Sequence, residues 1–332
     1  MAGRVTSLDV AARAGVSQSA VSRVFSGASA SKSTIAKVRA AAQELGYRPN
    51  VLARSLITGR SRIIGLVVAY LDNPFYPDAL ERLSRALQDE GYHTLVFITP
   101  EIGGDLDSVI QQMLDHQVDG IVAASVGLGD ALAARCRAAG IPVVLFNRGQ
   151  EGFAQVTSAN RAGGRRVAEF LVNAGHRRIG HVAGWQGSST GQDRTEGFTR
   201  ALAEAGIAPV GIEPGDYDRD KAARAAQVLV ERGAEALFVG NDHMAFAVMD
   251  HLRFAMKLKV PADVSVVGYD DVPMAAWAGY DLTTVRQPVE RMVEATVAAM
   301  LSALAGDVSI ARTEIDGPLM IRGSARKRQE TA

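Results

Sequence analysis

Cysteine is almost absent from this 332-residue chain, which carries only Cys136, in the helical stretch ALAARCRAAG. A disulfide within the chain is excluded, as is a zinc site built from a cysteine cluster, and a buried structural thiol is the expectation. Long apolar runs are missing too. Residues of hydrophobic type make up 47% of the chain, yet no run approaches the roughly 18 that a membrane span requires. The opening MAGRVTSLDV has no apolar segment of a secretory signal, so the cytosol is the expected compartment. Overall charge is also lacking, since 36 basic and 36 acidic side chains cancel.

Catalytic signatures are scarce. No G-x-S-x-G elbow, Walker loop or H-E-x-x-H is present. Asp270-Asp271 are paired carboxylates, but neighbours at a strand end point to opposite sides, the wrong arrangement for a two-carboxylate glycosidase. His176 and His181 have no Glu, Asp or Cys at metal-ligand spacing. Gly103-Gly104 and Gly163-Gly164 read as turn and helix-start glycines. The chain therefore reads as non-enzymatic, with no metal and no cofactor.

What is present is an uneven distribution of charge. Residues 1–62 hold ten basic side chains against two acidic ones, a net charge of +8, so residues 63–332 carry −8. A basic head on an acidic body is the electrostatic footprint of nucleic-acid binding confined to one domain. Within that head, Thr6 is placed to cap a helix with Asp9 three residues on, and Gly15 to close it. A second helix starts at Ser17, burying Ala20, Val21 and Val24 and leaving Gln18, Ser19, Ser22 and Arg23 outward. Two short helices around a tight turn make a helix-turn-helix, whose second helix suits the major groove of DNA.

A third helix is expected over 33–45, with Ile35, Val38, Ala42 and Leu45 on one face and Gly46 as its stop. After Arg48-Pro49-Asn50, residues 51–56 offer less than two helical turns, too few to persist alone in water. They are expected to fold only against a partner helix or a minor groove, using Leu52 and Leu56.

From residue 63 apolar runs alternate with helical stretches. The runs are 63–69, 94–99, 120–124, 142–146, 179–183, 236–239 and 264–269, with helices such as 77–90, 106–116, 131–139, 162–174 and 194–205 between them. Such alternation argues for parallel sheets covered by helices on both faces, and the length argues for two α/β lobes with a cleft between them. Ligands bind at the carboxyl ends of the strands in these folds. The turns there hold Asp72, Asn73, Phe75, Tyr76, Glu101, Ser125, Asn147, Arg148, Gln192, Arg194, Tyr217, Asn241, Asp242, Asp270 and Asp271. Aromatics mixed with amides, carboxylates and arginines suit a polyhydroxylated, sugar-like ligand.

The chain resembles the lactose-repressor (LacI) and galactose-repressor family of bacterial transcription regulators along essentially its whole length. The most specific motifs are TSLDVAARAGVSQSAVSRVFSG, LGYRPNVLARSL, DNPFY, GHRRIGHVAG, DRTEGF, GNDHMA and VSVVGYDD. The resemblance implies an all-α helix-turn-helix headpiece over 1–48 and a hinge helix and linker over 49–62. A core like that of periplasmic sugar-binding proteins follows. Its N-terminal lobe spans 63–160, with about 288–318 returning to it, and its C-terminal lobe spans 161–287, with about 319–327.

It also implies DNA contacts by Thr6, Ser17, Gln18, Ser19, Ser22, Arg23, Asn50, Ala53 and Leu56, the last as a minor-groove wedge. Effector contacts fall to Asn73, Phe75, Tyr76, Ser125, Asn147, Arg148, Arg194, Tyr217, Asn241, Asp270 and Gln287. The recognition pair Gln18-Ser19 matches no operator assignable from the sequence, and the tail SARKRQETA lacks the leucine heptads of a tetramerising segment.

The implied function is that of a ligand-responsive repressor of a carbohydrate operon. It binds double-stranded operator DNA as a homodimer, with a sugar or sugar derivative as effector and no membrane role. A nucleobase corepressor is the alternative ligand, and a sugar-binding protein without a DNA role the alternative function. For the dimer contact the sequence points to the apolar stretch 244–258, with Trp277 and Tyr280 beside it, or else to a helix buried wholly in its own chain.

Overall fold

The computed structural model describes residues 5–26, 29–47, 60–69, 71–99, 107–124, 130–307 and 309–327. The chain divides into two compact units, Met1–Arg62 and Ile63–Ala332.

Three helices are found among the described residues of the first unit. Helix α1 (Ser7–Ala14) begins at a complete capping box, in which the Thr6 side chain accepts from the Asp9 N–H and the Asp9 carboxylate accepts from the Thr6 N–H at 2.8 Å. Gly15, in the left-handed conformation at φ 65°, ends it. Helix α2 (Gln18–Ser26) starts behind Ser17, whose Oγ accepts from the Ala20 N–H at 3.2 Å. Helix α3 (Lys32–Leu45) is capped by Ser31 and stopped by Gly46 at φ 64°. Val10, Ala11, Val21, Val38, Ala41 and Ala42 form a small shared core. Phe25 and Tyr47, with ring centroids 5.7 Å apart, close its side. The hinge helix expected over 51–56 lies outside the described residues.

The second unit holds two six-stranded sheets. The first contains β1 (Ile63–Val68), β2 (His93–Ile98), β3 (Gly120–Ala124), β4 (Val143–Phe146), β5 (Ala154–Ser158) and β11 (Arg312–Ile315), in the order β11-β5-β4-β3-β1-β2. The second contains β6 (Ile179–Ala183), β7 (Gly211–Pro214), β8 (Ala236–Val239), β9 (Ser265–Asp270), β10 (Thr283–Arg286) and β12 (Leu319–Met320), in the order β12-β10-β9-β8-β6-β7. All pairings are parallel except β10 with β12. Helices α4 (Phe75–Asp89), α5 (Asp107–Asp115) and α6 (Asp130–Ala138) connect strands of the first sheet. Helices α7 (Asn160–Asn173), α8 (Ser189–Glu204), α9 (Arg219–Glu231) and α10 (Asp242–Asp250) serve the second sheet. Helix α11 (Val289–Leu304) crosses back, burying Val289, Met292, Val293, Val297 and Met300 in a core shared with α4. The chain is thus an all-α helix-turn-helix unit followed by a two-lobed α/β core in which each lobe is built on one sheet.

Gly163 and Gly164 lie near the start of α7, and Gly103-Gly104 lie outside the described residues. A Cβ at Gly164 would run into the Arg194 carbonyl, and one at Gly197 into the Arg161 carbonyl, so α7 and α8 pack backbone against backbone. That contact fixes the position of Arg194.

The stretch 244–258 buries most of its apolar side chains in its own chain. Helix α10 is followed by a π turn at His251–Ala255, and Met244, Phe246, Val248, Met249 and Leu252 are buried in their own chain. Phe254 stays exposed at 71%, as does Trp277 at 58%.

No helix among the described residues is long and apolar enough to cross a membrane.

Candidate functional site

On α2 the side chains of Gln18, Ser19, Ser22 and Arg23 are exposed, while Val21 faces the core. Gln18 Nε2 donates to Ser7 Oγ at 3.0 Å, and the hydroxyls of Ser17 and Ser19 lie 2.9 Å apart. Amide, hydroxyl and guanidinium groups on one convex face are the donors and acceptors that base edges and phosphates engage. Thr6 has a local task as well, since its hydroxyl and N–H both donate to Asp9. Asn50, Ala53 and Leu56 lie outside the described residues.

The other constellation lies where the carboxyl ends of the two sheets face each other. Arg194 is buried and held on three sides. Its Nε donates to Asn160 Oδ1 at 2.9 Å and its Nη1 to the Gly240 carbonyl at 2.7 Å, and its guanidinium carbon stands 3.7 Å above the Tyr269 ring. The Asp270 carboxylate is 3.7 Å from Arg194 Nη1. It accepts from Gln287 Nε2 at 2.6 Å and, across the cleft, from Asn73 Nδ2 at 3.4 Å. Asp271, its neighbour, turns away to Arg286 and Arg322, both at 2.6 Å. The two carboxylates therefore do face opposite sides.

Asn241 caps α10 through Oδ1, and Asp242 behind it accepts from Thr284 Oγ1 at 2.6 Å and the Val272 N–H at 3.0 Å. Burial pushes both Asp242 and Asp270 above the ordinary carboxylate range, and the charge of Asp270 lifts Asp242 further.

From the first lobe, Asn147 at φ 54° donates through Nδ2 to the Tyr76 hydroxyl at 3.3 Å. Phe75 packs between Tyr76 and Phe146, with centroids 5.3 and 6.2 Å away. Arg148 reaches over Trp185 of the second lobe at 5.8 Å. The Gly149 N–H donates to Ser189 Oγ at 2.7 Å, a second bridge between lobes. Tyr217, at φ 63°, lies over Gly184 with its hydroxyl 3.2 Å from Thr190 Oγ1. Ser125 lies outside the described residues.

Two acceptors in this set, Asn147 Oδ1 and Gln287 Oε1, are buried without a hydrogen-bond partner. Burying a polar atom unpaired is costly, so such atoms mark places where something else donates. Beside the cleft, a polar cavity of about 350 Å³ takes walls from both lobes, among them Gly149, Gln150, Ser189, Gln192 and Arg312.

Three neighbours were not among the candidates: Asn160 under Arg194, Tyr269 beneath its guanidinium, and Trp185. The rule that singled out other post-strand turns would have found Trp185, two residues beyond β6. Asn160 follows β5, whose sequence AQVTS carries too little apolar pattern to be seen as a strand. His181, by contrast, is a core residue. Its ring stacks on Phe238 at 4.6 Å and bonds the Phe238 carbonyl and Thr195 Oγ1, both at 3.0 Å. No cluster of potential metal ligands occurs among the described residues.

Two family models match the chain, one for bacterial regulatory proteins of the lacI family over residues 6–50 and one for a periplasmic binding protein-like domain over 168–325. The HTH-type transcriptional regulator CelR of Thermobifida fusca is 33% identical over 330 residues, covering 95% of this chain and 96% of the relative. The ribose operon repressor of Escherichia coli K12 is 30% identical over 329 residues, covering 96% and 99%. Among solved structures, the lac repressor dimer bound to operator and the anti-inducer ONPF superposes with a TM-score of 0.87 at 28% identity, covering 97% of this chain and 99% of that one. A CelR–cellobiose complex gives 0.73 at 32% identity, covering 97% and 100%. With both of its units matched and a relative one-third identical along nearly the whole length, this chain belongs to the LacI family of bacterial regulatory proteins.

Proposed function

We propose that the protein is a cytoplasmic, non-enzymatic repressor of a carbohydrate-utilisation operon, binding a pseudo-palindromic operator as a homodimer and responding to a sugar-like effector in the interlobe cleft. The two buried amide oxygens without donors, Asn147 Oδ1 and Gln287 Oε1, carry the effector half of this reading. Together with the Asp270 carboxylate they call for a ligand rich in hydroxyl donors. Arg194, Tyr217, Asn241, Asn73, Phe75, Tyr76, Arg148 and Ser125 complete the proposed contact set. Relatives named for cellobiose and ribose support the same ligand class.

The DNA half rests on the exposed face of α2 and the +8 charge of residues 1–62. Gln18, Ser19, Ser22 and Arg23 read or clamp the half-site, with Ser17 and Thr6 at the helix starts and Asn50, Ala53 and Leu56 in the hinge segment. A twin headpiece is needed to read the second half-site one DNA turn away. The exposed Phe254 and Trp277 supply an apolar patch for pairing.

The test is a random-site selection of the operator followed by anisotropy titrations with and without sugars, sugar acids, polyols and nucleobases. A carbohydrate should change operator affinity by five-fold to about 150-fold. The Gln18→Ala, Ser19→Ala double variant should select an altered consensus. An unaltered consensus, or a response to nucleobases alone, would refute the corresponding half.

A further inference from the structure

We propose that the cleft is built for a ligand of two linked sugar rings, with Trp185 as the platform for the second ring. This rests on the cleft being a carbohydrate site, and it fixes the size class of that carbohydrate.

Two aromatic side chains stand on glycines at the end of β6. Tyr217 lies over Gly184, where a Cβ would run into its ring, and a Cβ at Gly187 would run into the indole of Trp185. Three residues of chain span at most about 11 Å, so both platforms lie within reach of one short ligand. The turn that carries them is tied down. Gln186 Nε2 donates to the Gly184 carbonyl, Gln192 Nε2 donates to the Gln186 carbonyl, and the Ser188 hydroxyl donates to the Trp185 carbonyl, at 2.7 to 2.8 Å. A platform fixed in advance loses little entropy when a ring settles on it.

Trp185 is only half-buried, although one part of it packs against the core. What it meets from the opposite lobe is Arg148, with the guanidinium carbon 5.8 Å from the ring centroid. Arg194 rests on Tyr269 at 3.7 Å, which is stacking contact. The wider spacing at Trp185 leaves Arg148 over the ring but short of stacking contact, where its N–H groups are donors to hydroxyls. An apolar ring face beside a hydrogen-bonding cation is what a pyranose recognises, since its C–H face stacks while its equatorial hydroxyls accept. The first ring then belongs with Tyr217, Arg194 and Asp270, and the second with Trp185 and Arg148.

The chain has two tryptophans, so Trp277→Phe leaves Trp185 as the sole reporter in the full-length protein. Calorimetry and tryptophan emission are followed with glucose, galactose and xylose, with cellobiose, maltose, lactose and xylobiose, and with hypoxanthine and adenine. At least one disaccharide should bind about tenfold or more tighter than its own monosaccharide and shift the Trp185 emission. Trp185→Ala should bring that affinity ratio close to one, and Trp185→Phe should keep most of it. If Trp185→Ala does not fold, the emission shift and the Trp185→Phe ratio decide. Sugar binding with a ratio near one and unmoved emission would overturn the two-ring cleft while leaving the carbohydrate reading standing. Binding of a base with no sugar bound would overturn both.

Discussion

The headpiece keeps its proposed working residues outside and the core keeps its own inside. Gln18, Ser19, Ser22 and Arg23 are exposed on a helix held down by small side chains such as Ala11, Ala41 and Ala42. Arg194, Asn147, Asn241, Asp270 and Gln287 are each at most 4% exposed and are tied to neighbours that themselves hold the sheets in place. A surface reader is free to change its residues without touching its fold. A buried site cannot, because each of its polar groups is also part of the packing. The two regions should therefore answer to different variables: the headpiece to ionic strength, the core to protons and ligand.

Salt separates them most widely. Neutralising DNA phosphates releases counterions, so a headpiece making six to ten such contacts should lose about 10³-fold or more in operator affinity between 50 and 200 mM salt. The affinity of a neutral sugar for the buried cleft should change by less than about twofold over the same range, since buried groups are poorly screened. Anisotropy and calorimetry on one preparation make the comparison. A shallow operator slope, or an effector slope as steep as the operator's, would erase the distinction.

Protons act on the core, and His181 gives the clearest sign. Burial pushes its pKa down to about 4, helped by Arg194 and opposed by the Phe238 carbonyl. The folded chain keeps the ring neutral while the unfolded chain protonates near 6.5, so stability present above that value drains as pH falls toward 4. The drop amounts to about 3 kcal/mol. Urea midpoints read by Trp185 and Trp277, both in the unit Ile63–Ala332, should fall between pH 7.5 and 4.5 more steeply for the native chain than for His181→Gln. His176 and His243, also depressed by burial, remain in both proteins and cancel. Equal slopes would show that the ring is protonated in place.

The same contrast governs what could be read before the structure. Caps at Thr6, Ser17, Gly15 and Gly46 are local chemistry, and the headpiece helices appear where those residues put them. The seven apolar runs of the core became strands, but β5, β7, β10, β11 and β12 were not anticipated. Sequences such as AQVTS, TTVR and RTEI carry the polar residues of sheet edges or of buried hydroxyl networks. Thr283 and Thr284 are fully buried with their hydroxyls donating to the Arg322 carbonyl and the Asp242 carboxylate. Candidate cleft residues were picked out at the ends of recognisable strands, although Trp185, two residues beyond β6, was passed over. The cleft was illegible at Asn160, which follows the unanticipated β5, and at Tyr269, whose strand was expected but whose place beneath Arg194 depends on long-range packing. The close crossing of α7 and α8 depends on Gly164 and Gly197 meeting backbone 30 and 36 residues away, and no local pattern signals such a contact.

The smallest expected effect tests whether Thr6 belongs to the surface or to the fold. Its position at the start of α1 suits a phosphate contact, yet its hydroxyl and N–H are both engaged with Asp9, and that pairing lowers the Asp9 pKa. Removing a side chain of this kind at a helix N-terminus costs about 1 kcal/mol. Thr6→Ala should speed amide exchange of Ser7–Ala14 by roughly fivefold, since 1.4 kcal/mol corresponds to a factor of ten, with the core amides unmoved. Thr6→Ser keeps the oxygen and should restore protection. Operator affinity then decides the second role. If Thr6→Ala weakens binding only as far as the lost helix stability accounts for, the residue is a cap. If it weakens binding further and flattens the salt slope by about one unit, the hydroxyl also meets a phosphate. Unchanged exchange in Thr6→Ala would remove the capping box from the forces that hold the headpiece.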